Sequence, residues 1–438
     1  MAMSGLKIVA RSLRVRAVST LISAFSVAVA VAMLLTLLTL SRANDRAFEA
    51  GTGNADLIVS REPSGLVSVL NTFFYAAAPV DYIDWATFER QLNSPGPRRM
   101  PPIALIGDTG WYVPVAIGDS YRGRAVLATT PEFFEKFTPR AGGEGWSFAQ
   151  GRPIEGAFDL VLGSDTARAT GLAIGEIVHL THGAPGPGGQ LPEDAHVHTD
   201  FDFRVVGILE RTGTAHDRAL FAHIEGSWRM HASDLGDESA RDLETPVAPQ
   251  HQKVTAVLIK AGGRPGSTVT AAFAPLQSDL TRMTGLTIAN PATEVRRLLR
   301  IVSNIDQVLI AMAVVILLSS GVSILLSLYN SMATRRRQIA VLRVLGASRK
   351  RIFSMVIAES AFIGLLGGLV GVVLAVVAGG LVAQALWMRV GVMLDPSLEP
   401  IPVLWTLGGT VVLAVLAGLA PAAVAYRTSV AGNLRPLV

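Results

Sequence analysis

Four stretches of this chain contain no Asp, Glu, Lys or Arg: Ala17–Leu40, Gln307–Met332, Ser360–Met388 and Ile401–Tyr426. Each exceeds the roughly 20 residues that a helix, rising about 1.5 Å per residue, needs to cross about 30 Å of hydrocarbon. A buried soluble helix seldom stays uncharged for so long, and four in one chain define a membrane protein. Composition agrees: 16% of residues are charged, against about 25% in soluble domains, and the mean hydropathy is +0.43. The pattern predicts an α-helical membrane protein with four transmembrane helices and a large mixed α/β extracytoplasmic domain between the first and second spans. The first stretch has a basic flank and the small-residue triplet Ala28-Val29-Ala30, as a cleaved signal would. Signal cores run only about 7–15 residues, whereas this one continues to Leu40. It reads as a retained anchor.

Basic residues set the expected orientation. Lys7, Arg11, Arg14 and Arg16 precede the first span; Arg335, Arg336, Arg337, Arg343, Arg349, Lys350 and Arg351 lie between the second and third; Arg427 and Arg435 follow the fourth. The loop between the third and fourth spans has Arg389 with Asp395 and Glu399. The positive-inside rule then puts both termini and the Arg-rich segment in the cytoplasm. The expected order is a cytoplasmic N-terminus (1–16), a span (17–40) and an outer domain (41–300) ending in a stalk (292–306). A second span (307–332), a cytoplasmic coupling helix (333–353), a third span (354–388), an external loop (389–400), a fourth span (401–426) and a cytoplasmic tail (427–438) follow. The chain has no cysteine, so no disulfide staples the outer domain. The basic balance belongs to flanks that face anionic lipid and does not call for nucleic acid.

Within the outer segment Asp56–Ser60, Asp159–Gly163, Ile177–Leu180, Phe201–Leu209, Ala219–Ile224 and Lys253–Ile259 read as strands. Ser164–Thr170 reads as a helix capped by Ser164 and stopped by Gly171, and Thr268–Leu280 as another helix. From Ala292 an apolar pattern through Val295, Leu298, Leu299, Val302 and Ile305 meets no Pro or Gly before the second span. It reads as a stalk continuous with that span. Asn93–Pro102 and His182–Asp200 read as Gly/Pro-rich loops.

All eight histidines fall between His179 and His251. His182, His196 and His198 sit in the second loop with Glu193, Asp194 and Asp200. Imidazole with carboxylate suits a transition-metal ion such as zinc. A solvated loop with several polar residues is the competing reading, since no fixed ligand spacing is present. No catalytic residue is assigned. In the third span Gly364, Gly367, Gly368 and Gly371 give two overlapping G-x-x-x-G spacings. Such spacings let helices approach closely in lipid, although glycine is common in membrane helices generally.

The segment from Met332 to Phe353 is a cationic, partly amphipathic helix in which Ile339, Leu342 and Leu345 fall on one side before Gly346 breaks it. On physics alone it is either a basic loop that only fixes topology or a helix that docks on lipid or a soluble protein. It resembles the cytoplasmic loop of FtsX-like permeases of the MacB and LolC/LolE type, approximately E-R-R-x-E-I-A-I-L-R-x-L-G-A-S-x-x-x-I. Arg335, Arg336, Ile339, Ala340, Leu342, Arg343, Leu345, Gly346, Ala347 and Ser348 carry the likeness, with Glu359-Ser360 opening the next span. Gln338 stands where the family usually has Glu, and Thr334 also departs. Leu160–Asp165 and Phe203–Leu209 are similar to strand motifs of that family's outer domains.

The resemblance implies the permease subunit of an ABC transporter in the inner (cytoplasmic) membrane, working with a second permease copy or paralogue. It also implies that Arg335, Arg336, Ile339, Leu342, Arg343, Leu345 and Gly346 form the coupling segment that docks on an ATPase subunit. The outer domain would meet a periplasmic protein or lipoprotein. ATP would be bound by the partner, since no G-x-x-x-x-G-K-[ST] loop occurs in this chain. An FtsX-like signalling role, activating a cell-wall hydrolase, is the alternative. A receptor reporting inward is a third class, but the cytoplasmic pieces are too short for a signalling domain.

Overall fold

The computed structural model describes residues 17–96, 99–185, 189–193, 195–263, 271–283, 285–389 and 396–427. The expected N-terminal segment 1–16, the tail beyond 427, the loop core 390–395 and Asp194 lie outside them. Internal contacts divide the chain into two units, one formed chiefly by Asn44–Ile301 and one by the remaining long helices.

Four helices are long and apolar enough to cross a membrane: Ala17–Ala50, Pro291–Val344, Arg349–Arg389 and Pro400–Arg427. Each outruns its uncharged stretch because charge alone does not end a helix; a terminator does. Asn290 caps the second, its Oδ1 accepting from Thr293 N at 2.8 Å. No Pro or Gly except Gly321 interrupts the path from Ala292 to Val344. The expected separate coupling helix is therefore the end of one 54-residue helix, a turn, and the start of the next. Side chains of Ala24, Val27, Val31, Leu35, Ile324, Leu328, Ile363, Ala375, Ala414 and Ala417 form this unit's core. Phe25, Val315, Val373, Leu404 and Trp405 are exposed on the same helices. So many exposed apolar side chains on these helices belong against lipid or another protein.

The α/β unit contains strands β1 (Leu57–Ser60), β2 (Ile83–Asp84), β3 (Trp111–Tyr121), β4 (Arg124–Thr129), β5 (Phe148–Gly151), β6 (Asp159–Leu162) and β7 (Ile177–Val178). The others are β8 (Thr181–His182), β9 (Phe203–Leu209), β10 (Leu220–His223), β11 (Lys253–Val254), β12 (Ala256–Lys260) and β13 (Thr287–Ala289). The main sheet runs β13-β1-β12-β3-β4-β10-β6-β9-β5, with β7 on β9 and β8 on β3. Pairs β4–β10 and β6–β9 are parallel. Both faces are covered: Leu57, Val126, Leu160, Phe203 and Val257 belong to one apolar cluster, Ile58, Val113, Leu127, Val161 and Phe221 to the other. Alternate residues of a strand point to opposite faces, so consecutive apolar residues serve a sheet buried on both sides.

Most expected strands are present within a residue or two; Lys253–Ile259 is divided. Thr255 interrupts it, its Oγ1 donating to Val115 O and accepting from Ile117 N. The Ser164–Thr170 helix is also adjusted: Gly163 is its N-cap, Ser164 makes no capping bond, and Gly171 (φ +73°) ends it. The central β3–β4 hairpin escapes a reading by pattern, because Pro114 and Gly118 punctuate β3. Its two-residue turn, Arg122 (φ +48°) and Gly123 (φ +73°), has the positive φ pair that matches strand twist.

His216 lies fully inside the second cluster, edge-on to Phe137 and Trp146, with Tyr75 Oη 2.7 Å from its Nδ1. Burial pushes its pKa down to about 3. Unfolding frees it to titrate near the ordinary 6.5, so between these values the unfolded chain binds the extra proton and stability falls with acidification. We expect a loss of about 1.4 kcal/mol per pH unit below about pH 6 from this group. Denaturant titrations followed by tryptophan fluorescence should show a flatter pH dependence between about pH 4.5 and 6 for His216→Gln. Equal slopes would refute this.

Candidate functional site

Four histidines and two aspartates from four parts of the α/β unit converge on one patch. Asp119 comes from β3, where the register against β4 slips between Ile117 and Asp119. A β-bulge re-aims the side chains beyond it, and Asp119 is almost wholly buried. β8 pairs with β3 so that His182 stands opposite Asp119. The returning segment is held by His182 N to His196 O (2.7 Å) and His198 N to Leu180 O (2.9 Å), which brings His196 and His198 alongside. The helix Ile224–Asp234 supplies His231 and Asp234, three apart and thus on one helix face.

His231 Nε2 lies 3.0 Å from Asp119 Oδ1, and Ser227 Oγ donates to Asp119 Oδ2 at 3.3 Å. His198 places Nε2 3.9 Å from Asp119 Oδ1 and Nδ1 3.4 Å from Asp234 Oδ1. His196 Nε2 is 3.6 Å from Asp234 Oδ2. Ring centroids of His182 lie 5.0 Å from His196, 5.7 Å from His198 and 5.3 Å from His231. Burial alone would raise the Asp119 pKa, but His231, His198 and His182 outweigh it and hold the carboxyl below the usual range. Burial would likewise lower His231, yet Asp119's charge and hydrogen bond raise it. His198 is lowered by burial, opposed in part by Asp234 and Asp119. Beside the cluster opens a cavity of about 380 Å³ lined by Tyr82, Trp228, Leu235 and Lys253.

The structure thus gathers His182, His196 and His198; of the loop carboxylates among the described residues, Glu193 is exposed and Asp200 pairs with Arg241 at 2.6 Å. The sequence pattern does not bring Asp119, His231 and Asp234 together as a set. His231-x-x-Asp234 was the available signal; Asp119 had none, since only the bulge and β8 pairing bring it in. The other histidines have local tasks. His179 pairs with Asp202, His223 caps a helix, and His251 lies near Asp237.

At the Arg-rich turn Gly346 (φ +92°) ends the long helix. Ala347 N donates to Leu342 O and Gly346 N to Arg343 O, the paired bonds of a Schellman cap that favours glycine there. Ser348 caps the next helix through Arg351 N. The stripe expected on one side is divided: Ile339 packs inward with Met332, Ile352, Val356 and Ala425, Leu342 is half-buried, and Leu345 is 78% exposed. Val341 and Val344 are exposed beside Leu345. Arg335 forms a two-pronged pair with Glu359, at 2.9 and 3.4 Å; Arg343 is half-buried, and the side chain of Arg336 lies outside the description.

The four glycines of the third long helix meet two neighbours. A Cβ at Gly367 or Gly371 would stand 2.7 Å from Val27 or Val31 of the first helix, and one at Gly364 would stand 2.5 Å from Ala414 of the fourth. Gly368 faces Leu407. These contacts lie within one chain; a methyl at Gly364, Gly367 or Gly371 meets Cβ or backbone atoms and requires a helix to retreat, whereas at Gly368 the Leu407 side chain alone has to move.

This is a polytopic helical membrane protein with a large mixed α/β insertion and a basic helical turn between its second and third long helices. Residues 17–289 match the MacB-like periplasmic core domain and residues 310–430 the FtsX-like permease C-terminal domain. The chain belongs to this family of MacB-like, FtsX-like permeases. It is also similar, at 26% identity over 196 residues, to "Uncharacterized ABC transporter permease MJ1507" of Methanocaldococcus jannaschii. That alignment covers 44% of this chain and 45% of the relative, so the chain spans under half the length of the curated relative it matches.

Proposed function

We propose that the chain is the permease subunit of an ABC transporter of the MacB/LolC type, seated in the cytoplasmic membrane with both termini and the Arg-rich turn inside. The succession of a MacB-like core and an FtsX-like C-terminal region in one chain carries this reading. A separate ATPase would dock at the turn around Leu345. Nucleotide-driven motion there would pass along the helix Pro291–Val344, whose first turns pack Val295 and Leu299 into the α/β core. The permease itself would catalyse no reaction, and would act as a pair with a second copy or paralogue. Its α/β domain would work on a protein or lipoprotein outside the membrane.

The test has two parts. A reporter inserted after Gly142, an exposed position with open space around it, should report the outer compartment, and one fused after Leu345 the cytoplasm. Purification of the tagged chain from its native membrane should retain an ABC ATPase. The same compartment at both positions would overturn the topology. Retention of a cell-wall hydrolase would replace transport with signalling.

A further inference from the structure

Two nitrogens in the histidine cluster are buried and have no hydrogen-bond partner among the described residues: His182 Nδ1 and His198 Nε2. The His198 side chain is only 2% exposed. A buried polar atom left without a partner is costly, so natural proteins rarely keep one. Pairing of Asp119 with His231 would satisfy those two groups alone. It does not account for His198, whose open Nε2 stands 3.9 Å from the same carboxylate, or for the open Nδ1 of His182, the residue paired opposite Asp119. One ligand atom from each of Asp119, His182, His198 and His231 can be chosen so that all four lie within 4.8 Å of one another. Ligand atoms of a tetrahedral zinc ion with bonds of about 2.0–2.2 Å stand about 3.4 Å apart, so this set lies within a modest inward shift of ligating distance.

We propose that the α/β domain binds one divalent transition-metal ion of the zinc type through Asp119, His182, His198 and His231. Imidazole donors select this class over calcium or magnesium, which take oxygen ligands. The two carboxylates in the cluster disfavour an anion. His182, His196, His198 and Asp234 form a second possible set, but His196 and Asp234 are its exposed members. Asp234 is instead placed to orient: it meets His198 at Nδ1 and leaves Nε2 toward Asp119. A carboxylate behind a ligating imidazole is the usual supporting arrangement around a protein-bound metal. The ion would tie β3, β8, the segment entering β9 and the helix Ile224–Asp234 together beside the cavity. This inference does not rest on the transport reading.

The experiment uses the full chain in detergent, stripped with chelator and titrated with zinc sulfate by calorimetry. Cobalt(II) absorption reports coordination geometry. Saturable binding of one zinc per chain, micromolar or tighter, with the intense visible bands of tetrahedral cobalt is expected. His198→Ala and His231→Ala should each weaken zinc binding by about 100-fold or more, and Asp234→Asn by about 10–100-fold. His196→Ala should cost less than about 10-fold. Melting curves without metal establish that each variant is folded, and the wild-type titration decides the matter even if one is not. Binding no tighter than millimolar in the wild type would overturn the proposal and leave the open nitrogens to water. Equal affinity in His198→Ala, or loss in His196→Ala as large as in His231→Ala, would overturn the assigned ligands.

Discussion

Replacing Val344 and Leu345 with Asp should abolish retention of the proposed ATPase partner while leaving the permease inserted and folded. Both side chains are largely exposed, Val344 at 62% and Leu345 at 78%, so their removal leaves no cavity in this chain. Burying such side chains in a partner stabilises the complex by about 1.5–3 kcal/mol each. A carboxylate at the same place adds an unpaired charge to a desolvated interface. A loss of at least about 3 kcal/mol corresponds to an affinity weakened by about 100-fold or more. Co-purification of the ATPase with the double variant, measured against the wild type at equal expression, checks this. Undiminished recovery would rule out the exposed apolar turn as the docking face. Leu342 is a poorer probe, because it is half-buried and its substitution would disturb the turn itself.

The second large effect is expected at Glu359. Its carboxylate and the Arg335 guanidinium join the end of the long helix to the start of the next, with side chains 5% and 17% exposed. Removing one partner of a buried ion pair typically costs about 3–5 kcal/mol, whereas replacing both by apolar residues is often close to neutral. Glu359→Ala should therefore lower the melting temperature in detergent by about 5 °C or more. Arg335→Leu with Glu359→Leu should recover most of that loss. A single variant that melts with the wild type, or a double variant no better than the single, would show that the pair does not hold the turn. Loss of ATPase retention in the single variant, with rescue in the double, would link the pair to the geometry of the docking face.

The structure also separates two kinds of motif residue that look alike in a string. Ile339 and Leu345 stand six apart, and spacing suggests a common face. Six positions on a helix rotate through about 600°, which leaves the two about 120° apart and on different faces. Here the helix ends at Val344 and Gly346 reverses the chain, so Ile339 is claimed by Met332, Ile352 and Ala425 while Leu345 projects outward. The glycines of the third helix are a contrasting case. Their spacing implied a packing face, but only the fold shows that Gly367 and Gly371 meet the first helix and Gly364 the fourth.

What the sequence determined by itself is what depends on composition over a local window. Four uncharged stretches make four long helices because backbone hydrogen bonding within a helix and apolar side chains over twenty residues suffice. Strands such as β1, β6 and β9 were legible because apolar runs bounded by turn residues sort themselves. The helix break at Gly346 was legible because a glycine followed by Ala347-Ser348 stops one helix and opens another. What only the tertiary structure decided is what depends on residues distant along the chain. Asp119 lies 112 residues from His231, and nothing local marks it. A bulge in β3 turns it inward, β8 sets His182 opposite, and a helix brings His231 and Asp234 from the other side. Long-range strand register, not spacing, assembles that cluster, because each pairing places side chains that no window of sequence contains together.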